Sequence, residues 1–135
     1  MTSTLADLAD ATERKLWETK LASRVESFWY PYRTLTNIHT LEQVCAVAGL
    51  DLLQVCRGPH GRIADIGAGD GDLAFFFEKM GFTAEIIDNE YTNFNRLQGA
   101  RVLKEVMNSS VEIQSVDLDS QFALPDKKYD IVFFL

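Results

Sequence analysis

Arg62-Ile63-Ala64-Asp65-Ile66-Gly67-Ala68-Gly69-Asp70-Gly71-Asp72-Leu73-Ala74 is the stretch from which the rest of the chain is read. Ile63 to Ile66 reads as a short buried strand, the glycines as an abrupt turn, and a helix opens near Asp72. Gly67, Gly69 and Gly71, at alternate positions, admit backbone angles closed to other residues. They also leave the main chain bare, so that a ligand can lie against it. A strand, a glycine turn and a helix start together present free N–H groups, which suits a nucleotide-like molecule.

The carboxylates narrow the choice of molecule. Asp65, Asp70 and Asp72 crowd the turn, and like charges in one pocket repel. A pyrophosphate fits such a place poorly. A ligand with positive groups, such as the sulfonium and ammonium of S-adenosylmethionine, fits it better. The spacing Gly67-x-Gly69-x-Gly71 also departs from the G-x-G-x-x-G dinucleotide fingerprint, whose last small residue is replaced here by Asp72.

An acid followed by G-x-G-x-G resembles the first motif of the class I S-adenosylmethionine-dependent methyltransferases. The resemblance implies a Rossmann-like α/β domain with S-adenosylmethionine as cofactor. It puts Asp65 toward the cofactor's amino acid end, with Gly67, Ala68, Gly69 and Gly71 beneath it. No general base is identified.

The remaining strands follow the same scheme. Ala84 to Ile87 reads as a second strand ending at Asp88, which lies 21 residues beyond Gly67. An acid at that place grips ribose hydroxyls in nucleotide-binding βαβ units, and a carboxylate can accept from two vicinal hydroxyls. Asn89 is grouped with it as a cofactor contact. Val111 to Val116 reads as a third strand followed by Asp117 and Leu118. In the methyltransferase pattern these two places meet adenine, the acid at the amino group and the next N–H at the ring. Lys127-Lys128-Tyr129-Asp130 leads into Ile131 to Leu135, an all-apolar fourth strand of the kind buried on both faces. Right-handed crossovers then predict a parallel sheet ordered 3-2-1-4.

The resemblance covers residues 63–135, a partial cofactor-binding domain ending in the fourth strand of a seven-stranded family sheet. Residues 1–62 form an N-terminal helical extension. A closer likeness, in Asp88-Asn89-Glu90, Phe94-Asn95, Gln98-Gly99-Ala100-Arg101 and Tyr129 to Phe133, is to the tRNA wobble-uridine carboxymethyltransferase and methyltransferase branch. It implies a tRNA acceptor as an alternative to a small molecule.

Within the extension, Thr4-Leu5-Ala6-Asp7 reads as a capping box opening a helix that no Pro or Gly interrupts before about Ser27. Leu5, Leu8, Thr12, Leu16, Thr19 and Ser23 form its inward stripe, with Arg14, Lys15, Lys20 and Arg24 on a solvated face. Phe28-Trp29-Tyr30-Pro31-Tyr32 reads as either a lid or a core plug. A second helix carries Leu41, Val44, Cys45 and Ala48 and ends at Gly49. The row Phe75, Phe76, Phe77 must be covered on more than one side. A helix running from Asn93 or Asn95 to Met107 precedes the third strand.

Composition excludes several classes. The 47% apolar and 24% charged residues are those of a globular domain, with no apolar run long enough to span a membrane. Cys45 and Cys56 read as thiols of a reducing cytosol, and His39 and His60 have no partner at metal-ligand spacing. Residues 1–62 carry seven acids and seven bases, and residues 63–135 thirteen and six, which supplies the whole net charge of −7. That half does not attract a polyanion. Two other classes remain at this level. One is a nicotinamide-dependent oxidoreductase; the other is a non-catalytic module that self-associates, as a homodimer, through the exposed edge of the last strand.

Overall fold

Residues 3–120 and 129–135 are described by the computed structural model; the Lys127-Lys128 approach to the last strand lies outside them. The first helix, α1 (Leu5–Leu21), opens with the expected capping box. The Thr4 hydroxyl accepts from the Asp7 N–H, and the Asp7 carboxylate accepts from the Thr4 N–H. The helix stops six residues before Ser27. Absence of Pro and Gly permits a helix but does not drive one. Past Ala22 the backbone finds partners elsewhere: the Glu26 N–H donates to Gln98 Oε1 at 2.7 Å, and the Tyr30 N–H to Asp70 Oδ2 at 2.7 Å.

A 3₁₀ turn at Thr34–Thr36 leads into α2 (Asn37–Val47) and the short α3 (Leu52–Arg57). Then β1 (Arg62–Ile66), α4 (Asp72–Lys79), β2 (Thr83–Asp88), α5 (Gln98–Val106), β3 (Glu112–Ser115) and β4 (Ile131–Phe134) complete the order. The four strands are parallel and lie in the order β3-β2-β1-β4. The fold is α/β and Rossmann-like, with Ile66 flanked in register by Ile87 and Phe134. No helix is long and apolar enough to cross a membrane, among the described residues.

The core lies on one face of the sheet. Ile63, Ala84, Ile86 and Phe133 pack with α4 and with Leu16, Leu35 and Ile38, so residues before and after position 62 share one buried cluster. Phe75, Phe76 and Phe77 are all buried, as a row of three demands of a helix wedged between sheet and N-terminal helices. Phe77 stacks on Phe133 with ring centroids 5.2 Å apart. Burial of each ring stabilises by about 1.5–3 kcal/mol.

The opposite face differs from expectation. Its buried cluster is Ala64, Ile87 and Val116, with no helix residue contributing. Val132 and Phe134 point that way and are 49% and 74% exposed. Strand β4 is therefore buried on one face only. An apolar run specifies strands fit for two covered faces; the second cover needs another layer, and no described helix supplies it.

Candidate functional site

All three glycines of the turn adopt left-handed backbone angles, with φ of +69°, +63° and +86° at Gly67, Gly69 and Gly71. They do different work. Gly71 caps α4, and a Cβ there would overlap the Ile86 Cδ1 atom, so this glycine allows helix and sheet to meet. Gly69 lies under the Tyr30 ring, whose Cδ1 stands 2.9 Å from where a Cβ would be. Only at Gly67 would a Cβ meet nothing within 4 Å. The open part of the turn is thus its first residue.

Gly67 borders a cleft of about 200 Å³ at the carboxyl ends of the strands, shared with Asp88, Asn89, Asp117, Leu118 and Phe134. This is where strand order reverses, between β1 and β4, the usual ligand crevice of open α/β sheets. Five sequence-derived candidates, Gly67, Asp88, Asn89, Asp117 and Leu118, are brought together here. Ala68, Gly69 and Gly71 are buried and do not line it. Asp65 is also outside it: it lies beneath the turn, 4% exposed.

Asp88 braces the cleft. Its Oδ2 accepts from the Gly69 N–H at 3.1 Å and from Asn93 Nδ2 at 2.8 Å, while Oδ1 accepts from the Asn89 N–H at 2.8 Å. Three of the roughly four acceptor positions of a carboxylate are therefore engaged, leaving about one for a ligand hydroxyl. Asp117 is exposed; its Oδ1 accepts from the Asp119 N–H at 3.0 Å.

The charge pattern around the turn is corrected by a residue that periodicity assigned to solvent. Lys20 is 2% exposed. Its Nζ stands 3.0 and 3.1 Å from the two Asp72 oxygens and 3.5 Å from Asp70 Oδ2. The rings of Trp17 and Trp29 lie 5.0 and 5.8 Å from the same nitrogen. Asp70 and Asp72 are thus held by an internal cation and are not free to choose a ligand by charge. Burial pushes the Asp72 carboxyl above its ordinary value, against the pull of Lys20. Burial also pushes Asp65 up to about 8, against a hydrogen bond from the Ala74 N–H and with the Asp72 and Asp88 charges adding to the rise. Its Oδ2 has no hydrogen-bond partner. Asp65 is therefore neutral at pH 7 and brings no negative charge to the turn.

Two asparagines lock the neighbouring loop. Asn93 Nδ2 donates to Gly69 O at 3.0 Å and to Asp88, while its Oδ1 accepts from the Asn95 and Leu97 N–H groups. Asn95, 4% exposed, donates to Asp70 Oδ1 at 2.7 Å and to Phe28 O at 3.0 Å. These bonds, with left-handed Arg96 and Leu97, delay α5 to Gln98 instead of Asn93 or Asn95. Short side-chain amides that bond nearby backbone favour loops over helices, a signal the loop's two asparagines already carried. For Lys20 the signal was the ladder Leu5, Ala9, Thr12, Leu16, whose next step of four is Lys20; these are the residues that α1 buries, with Glu13.

No protein-family model matches the chain, and no curated protein matches it. Among solved structures, PH0226 protein from Pyrococcus horikoshii OT3 aligns with a TM-score of 0.54 and 23% identity, over 78% of this chain and 44% of that one. The tRNA (uracil-54, C5)-methyltransferase of Pyrococcus abyssi, solved in complex with S-adenosyl-L-homocysteine, aligns with a TM-score of 0.50 and 19% identity, over 79% of this chain and 23% of that one. The chain spans less than half the length of either. What it shares with them is the fold.

Proposed function

We propose that the chain carries the cofactor-binding part of an S-adenosylmethionine-dependent methyltransferase, with the adenosine portion in the Gly67–Asp88–Asp117 cleft. The observation that carries this reading is that cleft. It unites the one open glycine with an acid after the second strand and an acid after the third, in a fold also found in a methyltransferase solved with S-adenosyl-L-homocysteine. The cofactor would supply an electrophilic methyl group on a sulfonium, and the protein's own part is to bind and orient. Asp88 accepts from a ribose hydroxyl, Asp117 from the adenine amino group, and the Leu118 backbone N–H meets the ring. Asn89, fixed by Asp88, extends the ribose side. The bare backbone of Gly67 lets the chain approach closely. Asp65 acts from beneath by shaping the turn.

Calorimetric titration with S-adenosyl-L-homocysteine tests the reading. Binding in the micromolar range is expected, weakened about 5-fold or more by Asp117→Ala, since one hydrogen bond contributes about 1 kcal/mol. No heat at millimolar ligand would overturn it. The acceptor is open between a small molecule and tRNA; the net charge of −7 favours the small molecule.

A second reading is favoured by β4, which pairs only with β1 among the described residues and leaves Val132 and Phe134 exposed. Self-association through that edge gives a homodimer. Light scattering that returns the mass of a monomer at high concentration would remove it.

A further inference from the structure

The aromatic run Phe28-Trp29-Tyr30-Pro31-Tyr32 does not act as one block. Trp29 packs against the core, its ring 5.8 Å from the Lys20 ammonium. Phe28 and Tyr32 are 71% and 68% exposed. Tyr30, half-buried, lies on the glycine turn: its Cδ1, Cγ and Cε1 atoms stand 2.9, 3.1 and 3.2 Å from where a Cβ of Gly69 would be. The polar groups of Gly69 are engaged as well, its N–H by Asp88 Oδ2 and its carbonyl by Asn93 Nδ2. Backbone and ring of Tyr30 are held differently. Its N–H donates to Asp70 Oδ2 at 2.7 Å, whereas the ring meets Tyr32 and Phe94 edge-on, with centroids 5.2 and 5.9 Å away.

The cleft beside this ring measures about 200 Å³, below the roughly 300–1,000 Å³ of pockets that enclose a small molecule. Its candidate ligand groups cross the strand ends in order: Asp117 after β3, Asp88 at the end of β2, Gly67 after β1, since those strands are neighbours in that order. A ligand with its base at Asp117 and its ribose at Asp88 therefore sends its remaining part toward the turn after β1. Two residues past Gly67, that turn runs under the Tyr30 ring. Burial first, then the charges of Tyr32, Asp88 and Asp70, push the Tyr30 hydroxyl above its ordinary pKa, so the ring stands within electrostatic reach of Asp88.

We propose that Tyr30 gates the cofactor cleft: its ring occupies the place against Gly69 into which the part of the ligand beyond the ribose extends. Adenosine then enters with the ring in place, and a longer adenosine compound enters when the ring swings aside. As a gate on that cleft, Tyr30 rests on the methyltransferase reading. With the Tyr30 N–H pinned by Asp70, the swing is a side-chain rotation that gives up the contacts with Tyr32 and Phe94. Such a gate weakens the longer ligand by the fraction of molecules whose ring is off the turn. Minor states of this kind hold about 0.1–10% of the population, a weakening of about 10-fold or more. A ring that merely plugs the core would not distinguish ligands by length, and a ring that clasps the ligand would strengthen binding.

The test is calorimetric titration of adenosine and of S-adenosyl-L-homocysteine into the whole chain, Tyr30→Ala and Tyr30→Phe, with the fold of each checked by thermal melting. Tyr30→Ala is expected to bind S-adenosyl-L-homocysteine about 10-fold or more tighter than the parent, with adenosine unchanged. Tyr30→Phe, which keeps the ring, is expected to match the parent. Unchanged or weaker S-adenosyl-L-homocysteine binding by Tyr30→Ala, or an equal gain for both ligands, overturns the proposal. Should Tyr30→Ala fail to fold, the parent chain decides by NMR. The nuclear Overhauser contact between the Tyr30 ring and the Gly69 Hα protons is expected to persist with adenosine and to vanish with S-adenosyl-L-homocysteine. Both ligands bound with that contact intact removes the gate alone; neither ligand bound removes the methyltransferase reading and the gate with it.

Discussion

Replacing Lys20 by Met keeps most of the side chain's volume and removes its charge. In the folded chain this strands Asp72 and Asp70, whose side chains are 6% and 1% exposed. With an effective dielectric near 20, each contact at 3.0 to 3.5 Å is a gross attraction of about 5 kcal/mol. Desolvating the ammonium cancels much of that, so the net loss is set by the carboxylates left unpaired, about 3–5 kcal/mol. Against a typical total of about 5–15 kcal/mol, the variant is badly destabilised. Urea unfolding at pH 7 measures the loss. Lys20→Met combined with Asp72→Asn removes both halves of the shortest pair and is expected to recover most of the deficit, as double-mutant cycles of coupled residues do. A loss below about 1 kcal/mol in the single variant, or no recovery in the double, would refute the view that this ion pair ties α1 to the turn.

Three further outcomes are expected. Asp65, raised to about 8 from an unfolded value of 3.8, binds its proton more tightly when folded, so its stabilising contribution is full below pH 3.8 and is lost as pH rises through 8. Relative to Asp65→Asn, the parent chain should therefore lose about 1.4 kcal/mol per pH unit between pH 5 and 7 in urea titrations, and parallel profiles would count against it. Gly71→Ala combines a left-handed backbone with overlap on Ile86 and should cost about 2–4 kcal/mol by thermal or urea unfolding. Gly67→Ala has the same backbone penalty in open space. It should cost only about 1–2 kcal/mol while cutting S-adenosyl-L-homocysteine affinity, because the methyl enters the cleft.

The last of these outcomes separates what each level of description can reach. Strand and helix periods, the left-handed turn glycines and the 3-2-1-4 order follow from short-range rules of φ, pleat and crossover handedness, and they were legible in the chain itself. So was the gathering of Asp88 and Asp117 near Gly67, because strand ends in a parallel sheet meet on one side. Tertiary structure decided that only Gly67 of the three glycines is open, that Tyr30 covers Gly69, and that β4 is bare on one face. It also decided the charge at the turn: the ladder of α1 places position 20 on the buried face, but Lys20 and Asp72 are 52 residues apart, and no local pattern says which carboxylate the ammonium will meet. That outcome depends on which surfaces the whole chain brings together, since the free energy of a charge is set by its final surroundings and not by its place in the sequence.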